Sequence, residues 1–183
     1  REFFQCDADV IGSDSLLYEA ELIQIYDQAF HALRVPVVIK INHRKILSGL
    51  AEAAGIADRF MDMTIAVDKI DKIGLEGVQQ ELADKQIPPS AIRQISELLE
   101  VSDLHALSAT LESSATGKKG IEELQTVLSF LKDTPLHNPL QFDITLARGL
   151  NYYTGCIFEV AAQGVQMGSI GGGGRYADLT GVF

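Results

Sequence analysis

The stretch from Leu16 to Ile41 reads LLYEAELIQIYDQAFHALRVPVVIKI, and its apolar period changes part-way along. Leu16, Ala20, Ile23, Tyr26, Phe30 and Leu33 recur at steps of three and four, which predicts an amphipathic helix of about five turns. Pro36 stops that helix. Val37 to Ile41 follows as a short apolar run, read as a buried strand. Helix and buried strand side by side point to an α+β domain. Upstream, Phe3 to Ile11 alternates as a strand does. Phe4, Cys6, Ala8 and Val10 are expected on its core face, with Gln5, Asp7 and Asp9 on the other. Gly12-Ser13-Asp14 reads as a turn with a helix cap available at Ser13 or Asp14.

Downstream the character changes. Residues 45–134 carry helical patterns around 45–54, 73–85, 90–100 and 120–132, and Pro88-Pro89-Ser90 opens one of them. Ser, Thr and Gly at 113–117 mark a loop. From 135 the β pattern returns: Gln141 to Ala147 reads as a strand that alternates Gln141, Asp143 and Thr145 with Phe142, Ile144 and Leu146, and Cys156 to Ala162 is an apolar strand. Gly171 to Gly174 lets backbone approach a ligand or a neighbouring strand closely. The expected organisation is a β-rich core from 1–44 and 135–183, interrupted by a helical insertion at 45–134.

Composition excludes several classes. With 183 residues, 46% of them apolar, the chain can bury a sizeable core in one domain or a domain with a subdomain. No apolar run approaches the roughly 18 residues of a membrane helix, so no membrane is expected. Cys6 and Cys156 are the two cysteines, too few for a disulfide framework, and a reducing, cytoplasmic setting is the default. His31 lies on the long helix, His43 follows a strand, and His105 and His137 lie far from both. No His-x-x-x-His or Cys-x-x-Cys spacing occurs, so no tightly held protein-only metal site is expected. A Gly-x-Ser-x-Gly elbow is absent too, which leaves hydrolase triad chemistry without support. The net charge of -10 divides as -3 over residues 1–44, -6 over 45–134 and -1 over 135–183. That balance opposes nucleic-acid binding on its face. The chain opens at Arg1 without methionine and stops at Phe183 after Thr180-Gly181, so a piece of something longer is expected.

Three groups of residues have the chemistry of a site. The Gln5/Asp7/Asp9 row suits either a solvated sheet face or a polar floor for an amine. In Leu146-Ala147-Arg148-Gly149-Leu150-Asn151-Tyr152-Tyr153-Thr154-Gly155, Arg148-Gly149 is either a plain turn or an anion clamp whose guanidinium holds phosphate or carboxylate. The run Gly171 to Gly174 is followed by no Gly-Lys-Ser/Thr and opens no G-x-G-x-x-G helix, so it suits a pocket-lining backbone better than a phosphate cradle.

The residues themselves carry a resemblance. Arg1-Glu2-Phe3-Phe4-Gln5-Cys6-Asp7-Ala8-Asp9 resembles the strand half of the second class II motif of histidyl-tRNA synthetases. The segment from Leu146 to Gly155 is similar to the family's histidine-specific Arg-Gly-Leu-Asp-Tyr-Tyr, and Gly172-Gly173-Gly174-Arg175-Tyr176 to its Gly-Gly-Arg-Tyr-Asp. The resemblance implies an antiparallel class II sheet, flanked by helices and interrupted by the family's insertion domain. It also implies activation of histidine with ATP and Mg2+, then transfer to the terminal adenosine of histidine tRNA, in a cytoplasmic homodimer. Carried over by position, Gln5 would hold the substrate amine, and Asp9 would contact the amine or the imidazole. Tyr153 would bond the imidazole, and Tyr152 and Tyr176 would complete the pocket. Gly149, Gly172, Gly173 and Gly174 would line it, and Arg148 would meet the carboxylate and the α-phosphate as the catalytic residue.

Asn151 and Ala177 replace the family's usual aspartates, which bears on fine pocket geometry. The first class II motif, the third motif's arginine and the anticodon domain have no counterpart in this sequence, so the piece alone is expected to be inactive. The acidic balance then fits a partial chain, whose tRNA grip would come mostly from the anticodon domain. The insertion's net -6 sits awkwardly with tRNA unless Lys118, Lys119 and their neighbours form a local basic face. The alternative is the catalytically silent paralogue that serves as a regulatory subunit of histidine biosynthesis. It tends to lose the histidine-specific segments, which are largely kept here. A tRNA-independent binding module is a third possibility.

Overall fold

The computed structural model describes residues 2–148, 152–177 and 181. Helix α1 spans Leu17–Leu33 and ends where Arg34 enters the left-handed region at φ 57°, its N–H capping the carbonyls of Phe30 and His31. The chain thus leaves the helix two residues before Pro36, whose ring would crowd a helical Val35. Strand β1 (Val37–His43) follows, then α2 (Arg44–Ala53), a 3-10 turn (Ala57–Arg59), α3 (Phe60–Val67), α4 (Ile70–Asp84), α5 (Pro89–Leu99), α6 (Leu104–Thr110) and α7 (Ala115–Leu131). Strands β2 (Leu140–Phe142), β3 (Cys156–Ala162) and β4 (Gly171–Gly174) complete the order.

The four strands lie in the order β2-β1-β3-β4. The antiparallel sheet expected from the sequence is corrected here, because the sheet is mixed. β3 runs antiparallel to β1 and β4, but β2 runs parallel to β1, with Ile39 opposite Leu140 and Ile41 opposite Phe142. A parallel neighbour needs a long crossover, and the helices α2 to α7 provide one between β1 and β2.

Alternation gives the sheet two distinct faces. Val37, Ile39, Ile41 and His43 pair in register with Ala162, Val160, Phe158 and Cys156. Seven of these eight side chains are buried, Ala162 being half-buried at the strand end, and α1 and α7 pack over this face. The second face carries Lys40, Asn42 and Glu159, with Gly172 and Gly174 of β4 alongside.

Several further expectations are corrected. Phe3 to Ile11 is exposed and pairs with no strand among the described residues, and Phe4 is wholly exposed. Alternation marks a segment able to become a strand, but the ladder needs a neighbour, and neither sheet edge takes this one. The turn before α1 is tied by Ser13 and Ser15 hydroxyls, while the capping position Leu16 makes no side-chain cap. The strand expected over 141–147 stops at Phe142, because Asp143 Oδ1 accepts from both Thr145 N (3.0 Å) and Thr145 Oγ1 (2.5 Å), bending the chain. The loop expected at 113–117 is instead the start of α7: Ser114 caps Gly117 N at 2.8 Å, and its hydroxyl donates to Glu52. Gly117 is buried there because α7 crosses α2 so closely that a Cβ on Gly49 would lie 2.6 Å from the Gly117 Cα.

Candidate functional site

The segment that presents Arg148 is fixed carbonyl by carbonyl. Asn42, at the buried end of β1, donates from Nδ2 to Ile144 O (3.1 Å) and Leu146 O (2.9 Å). Arg44, opening α2, donates from Nη1 to Ala147 O (3.2 Å) and Arg148 O (3.5 Å), while its guanidinium stacks 4.7 Å from the Phe60 ring. Burial in this setting lowers the pKa of Arg44. Lys40 Nζ meets Asp143 Oδ2 at 2.8 Å, closing the turn from the same sheet face. Arg148 itself has φ 43°, a conformation that non-glycine residues seldom adopt and that surrounding contacts must hold.

From there its guanidinium turns back onto the sheet. Nη1 lies 3.5 Å from Phe158 O and 3.9 Å from Glu159 Oε2, with Cζ 5.6 Å from the centre of the Tyr153 ring. The second sheet face supplies the room. A Cβ on Gly172 would overlap Arg148 Nη1, and one on Gly174 would lie 2.8 Å from Tyr153 Cδ1. The other two glycines admit large groups on the opposite face, since a Cβ on Gly171 would lie 2.6 Å from Tyr26 Cε1 and one on Gly173 would lie 2.9 Å from Phe158 Cζ. The glycine run is thus a bare strip of β-sheet pressed from both sides.

The tyrosines gather at this strip. Tyr152 and Tyr153 lie 4.5 Å apart between ring centres, and Tyr176 meets Tyr152 edge-on at 6.2 Å. Burial, followed by the neighbouring Tyr152 hydroxyl, pushes the Tyr153 pKa up to about 12, so its phenol is a neutral donor at pH 7. The Tyr176 hydroxyl donates to Asp9, and that contact pushes Tyr176 up to about 12 as well. Gln5 makes no hydrogen bond to the group among the described residues: its Nε2 donates to the Asp7 carboxylate at 3.0 and 3.1 Å within its own exposed segment. Gly149 lies outside the described residues. Arg148, Tyr152, Tyr153, Tyr176, Asp9 and Gly172 to Gly174 are therefore linked, although far apart in sequence.

The structure also reveals participants that sequence reasoning missed. Arg175 grips Glu19 of α1 through two bonds, Nε to Oε1 at 2.5 Å and Nη2 to Oε2 at 2.7 Å, and that pairing raises the arginine's pKa. His137 is brought onto His31, the two rings stacked 3.7 Å apart, correcting the expected separation. Glu159 was the one acidic residue in an otherwise apolar strand, and that oddity was its signal.

The whole chain, residues 1–183, matches the model of the family described as Histidyl-tRNA synthetase. The chain belongs to the histidyl-tRNA synthetase family. Among named histidyl-tRNA synthetase relatives, the Histidine--tRNA ligase of Bacteroides fragilis is 54% identical over 188 positions, covering 100% of this chain and 41% of that protein. The enzyme of the same name from Christiangramia forsetii is 53% identical, with 42% of it covered. The chain thus spans about two fifths of the curated relatives it matches. A crystal structure of histidyl-tRNA synthetase from Nostoc sp. PCC 7120 superposes with a TM-score of 0.85 at 33% identity, over 93% of this chain and 42% of that one. A Bacillus halodurans structure titled as an ATP phosphoribosyltransferase regulatory subunit/histidyl-tRNA synthetase has a TM-score of 0.76 at 18% identity, a likeness of fold alone.

Proposed function

We propose that this chain is the histidine-binding part of a histidine-tRNA ligase, which joins histidine to ATP as histidyl-adenylate and then esterifies the terminal adenosine of histidine tRNA. The observation that carries the reading is the seat of Arg148 beside Tyr153 on the glycine strip. In adenylate formation the substrate carboxylate attacks the α-phosphate, so two negative groups must approach each other. A fixed guanidinium between them cancels that repulsion and favours the in-line transition state. Lysine would keep the charge but lose the planar fork. Neutral imidazole offers one N–H and one acceptor nitrogen. Tyr153, held as a phenol, suits the acceptor, and Asp9 suits either the ring N–H or the substrate amine. Gln5 is proposed as a further contact to the amine, which requires the exposed segment 3–11 to lie along the pocket in the full-length protein.

Among the described residues no group of three or more His, Cys, Asp or Glu side chains is placed to hold a metal ion. Mg2+ is proposed to arrive with ATP as part of the substrate. No helix among the described residues is long and apolar enough to cross a membrane. A cytoplasmic setting is part of the proposal by family resemblance alone. The division into a core of 1–44 and 135–183 with an insertion at 45–134, and a homodimeric full-length protein, belong to the same proposal.

The test is histidine-dependent pyrophosphate exchange by the full-length protein. Arg148→Ala should lower it by roughly a hundredfold or more, as removal of one fixed electrostatic contact at a transition state does. A change within about threefold would end the charge-cancelling role. Charging of histidine tRNA by the same protein separates this reading from a regulatory subunit, which would bind the first biosynthetic enzyme and charge nothing.

A further inference from the structure

Glu159 stands in the middle of β3, between Lys40 of β1 and Gly172 of β4 in the sheet register. Lys40 is engaged elsewhere, with Asp143 Oδ2 at 2.8 Å. The Glu159 carboxylate instead faces Arg148 Nη1 at 3.9 Å, a Coulombic contact longer than a hydrogen bond, with both side chains about three-quarters buried. Burial raises the Glu159 pKa, and Arg148 and then Lys40 pull it back. Opposite the carboxylate, Gly172 leaves the space that the guanidinium occupies.

We propose that Glu159 and Gly172 are positioning residues for Arg148, the carboxylate setting the direction of the guanidinium and the missing side chain giving it room. The proposal rests on the assignment of Arg148 as the catalytic cation. The positive φ at Arg148 delivers the side chain to the sheet, but a long flexible arginine has several rotamers from any backbone position. Phe158 O, at 3.5 Å, is a weak and neutral anchor. The carboxylate is the charged group that selects one direction, and its distance leaves the guanidinium's remaining donors free for an incoming anion. Glu159 touches no reacting atom in this scheme and acts through Arg148.

The experiment is a double-mutant cycle in the full-length protein, read by histidine-dependent pyrophosphate exchange. Glu159→Ala should lower kcat about tenfold or more with the KM for histidine nearly unchanged, because misplacing a catalytic group by an ångström is enough for such a loss. Gly172→Ala should bring a comparable loss by expelling the guanidinium. In the Arg148→Ala background, Glu159→Ala should change the rate by less than about twofold, since nothing remains to be positioned. Glu159→Gln, nearly isosteric but uncharged, should reproduce most of the loss without lowering the melting temperature. Equal losses from Glu159→Ala in both backgrounds would overturn the proposal, as would full activity or a rise in KM alone. A rate unmoved by Arg148→Ala would instead sink the assignment of Arg148, a separate outcome.

Discussion

His43 shows how far one side chain's role departs from what its letter suggests. It ends β1 wholly buried, its Nδ1 accepts from Lys45 N at 3.1 Å as the cap of α2, and its Nε2 lies 2.9 Å from Glu123 Oε2, off the line of an ideal N–H bond. Because Nδ1 accepts, the neutral ring carries its proton on Nε2, towards the carboxylate. Burial pushes the His43 pKa down from 6.5 to about 4, with Glu123 opposing the shift. The unfolded chain therefore takes up a proton between pH 6.5 and 4 that the folded chain refuses. Stability from this group is fully present above pH 6.5 and falls as pH drops to about 4, by at most about 3 kcal/mol. Burial raises the pKa values of Glu123, Asp27 and Asp143, but hydrogen bonds to Lys45, His137 and Lys40 respectively lead the effects that leave them lowered. Their contribution is present above the ordinary carboxylate range and fades below it, overlapping only the acid end of the histidine window. Urea midpoints measured from pH 7 to 4 should decline across that window and flatten in His43→Asn. An unchanged slope in the variant would show that another group is responsible.

Helix pairs here are decided by what is small. α2 and α7 cross where Gly49 meets Gly117, and a Cβ on Gly120 would lie 2.7 Å from Ile46 N. Glycine weakens a helix interior by up to about 1 kcal/mol relative to alanine, so three at one crossing make sense only as close approach. Gly49→Ala should accordingly destabilise the protein by about 1–3 kcal/mol despite the better helix former, because backbone atoms of α7 cannot yield as a side-chain tip can. Thermal melting checks the sign, and a stabilised variant would mean the helices part easily. This crossing explains why Gly117 read as loop: composition at 113–117 suggests a turn, while the partner that needs the glycine is far away in sequence. Short α3 and α6 were missed for a related reason, since seven or eight residues carry too little period to stand out.

Taken whole, the fold is closed by long-range polar ties as much as by its core. Arg175 after β4 grips Glu19, which is 4% exposed on α1, and Asp27 of the same helix accepts from His137 N (3.0 Å) and Asn138 N (2.7 Å) in the segment leading to β2. One helix near the start of the chain thus holds both ends of its later β structure. Glu19→Ala should lower stability by about 1–3 kcal/mol, less than for a fully buried pair, because the arginine left behind is half-buried and reaches water. Urea unfolding measures it, and a loss below about 0.5 kcal/mol would place the pair among surface bridges of little worth. Arg148, Tyr153 and the glycine strip converge only because β3 and β4 pair in register, so loosening this closure should also reduce the histidine activation proposed for the full-length protein.

Periodicity along the chain was enough to reveal the long helix, the strands β1 and β3 and the helical stretch between β1 and β2, because each depends on neighbours three, four or two residues away. The motifs around Arg148 and Gly172 were legible as well, being local strings of unusual chemistry. Parallel pairing of β2, the unpaired state of Phe3 to Ile11, the stacking of His31 on His137 and the seat that Glu159 and Gly172 make for Arg148 were not. Each is a contact between residues whose separation along the chain carries no periodic trace, and which partner wins is settled by burial and pairing across the folded molecule.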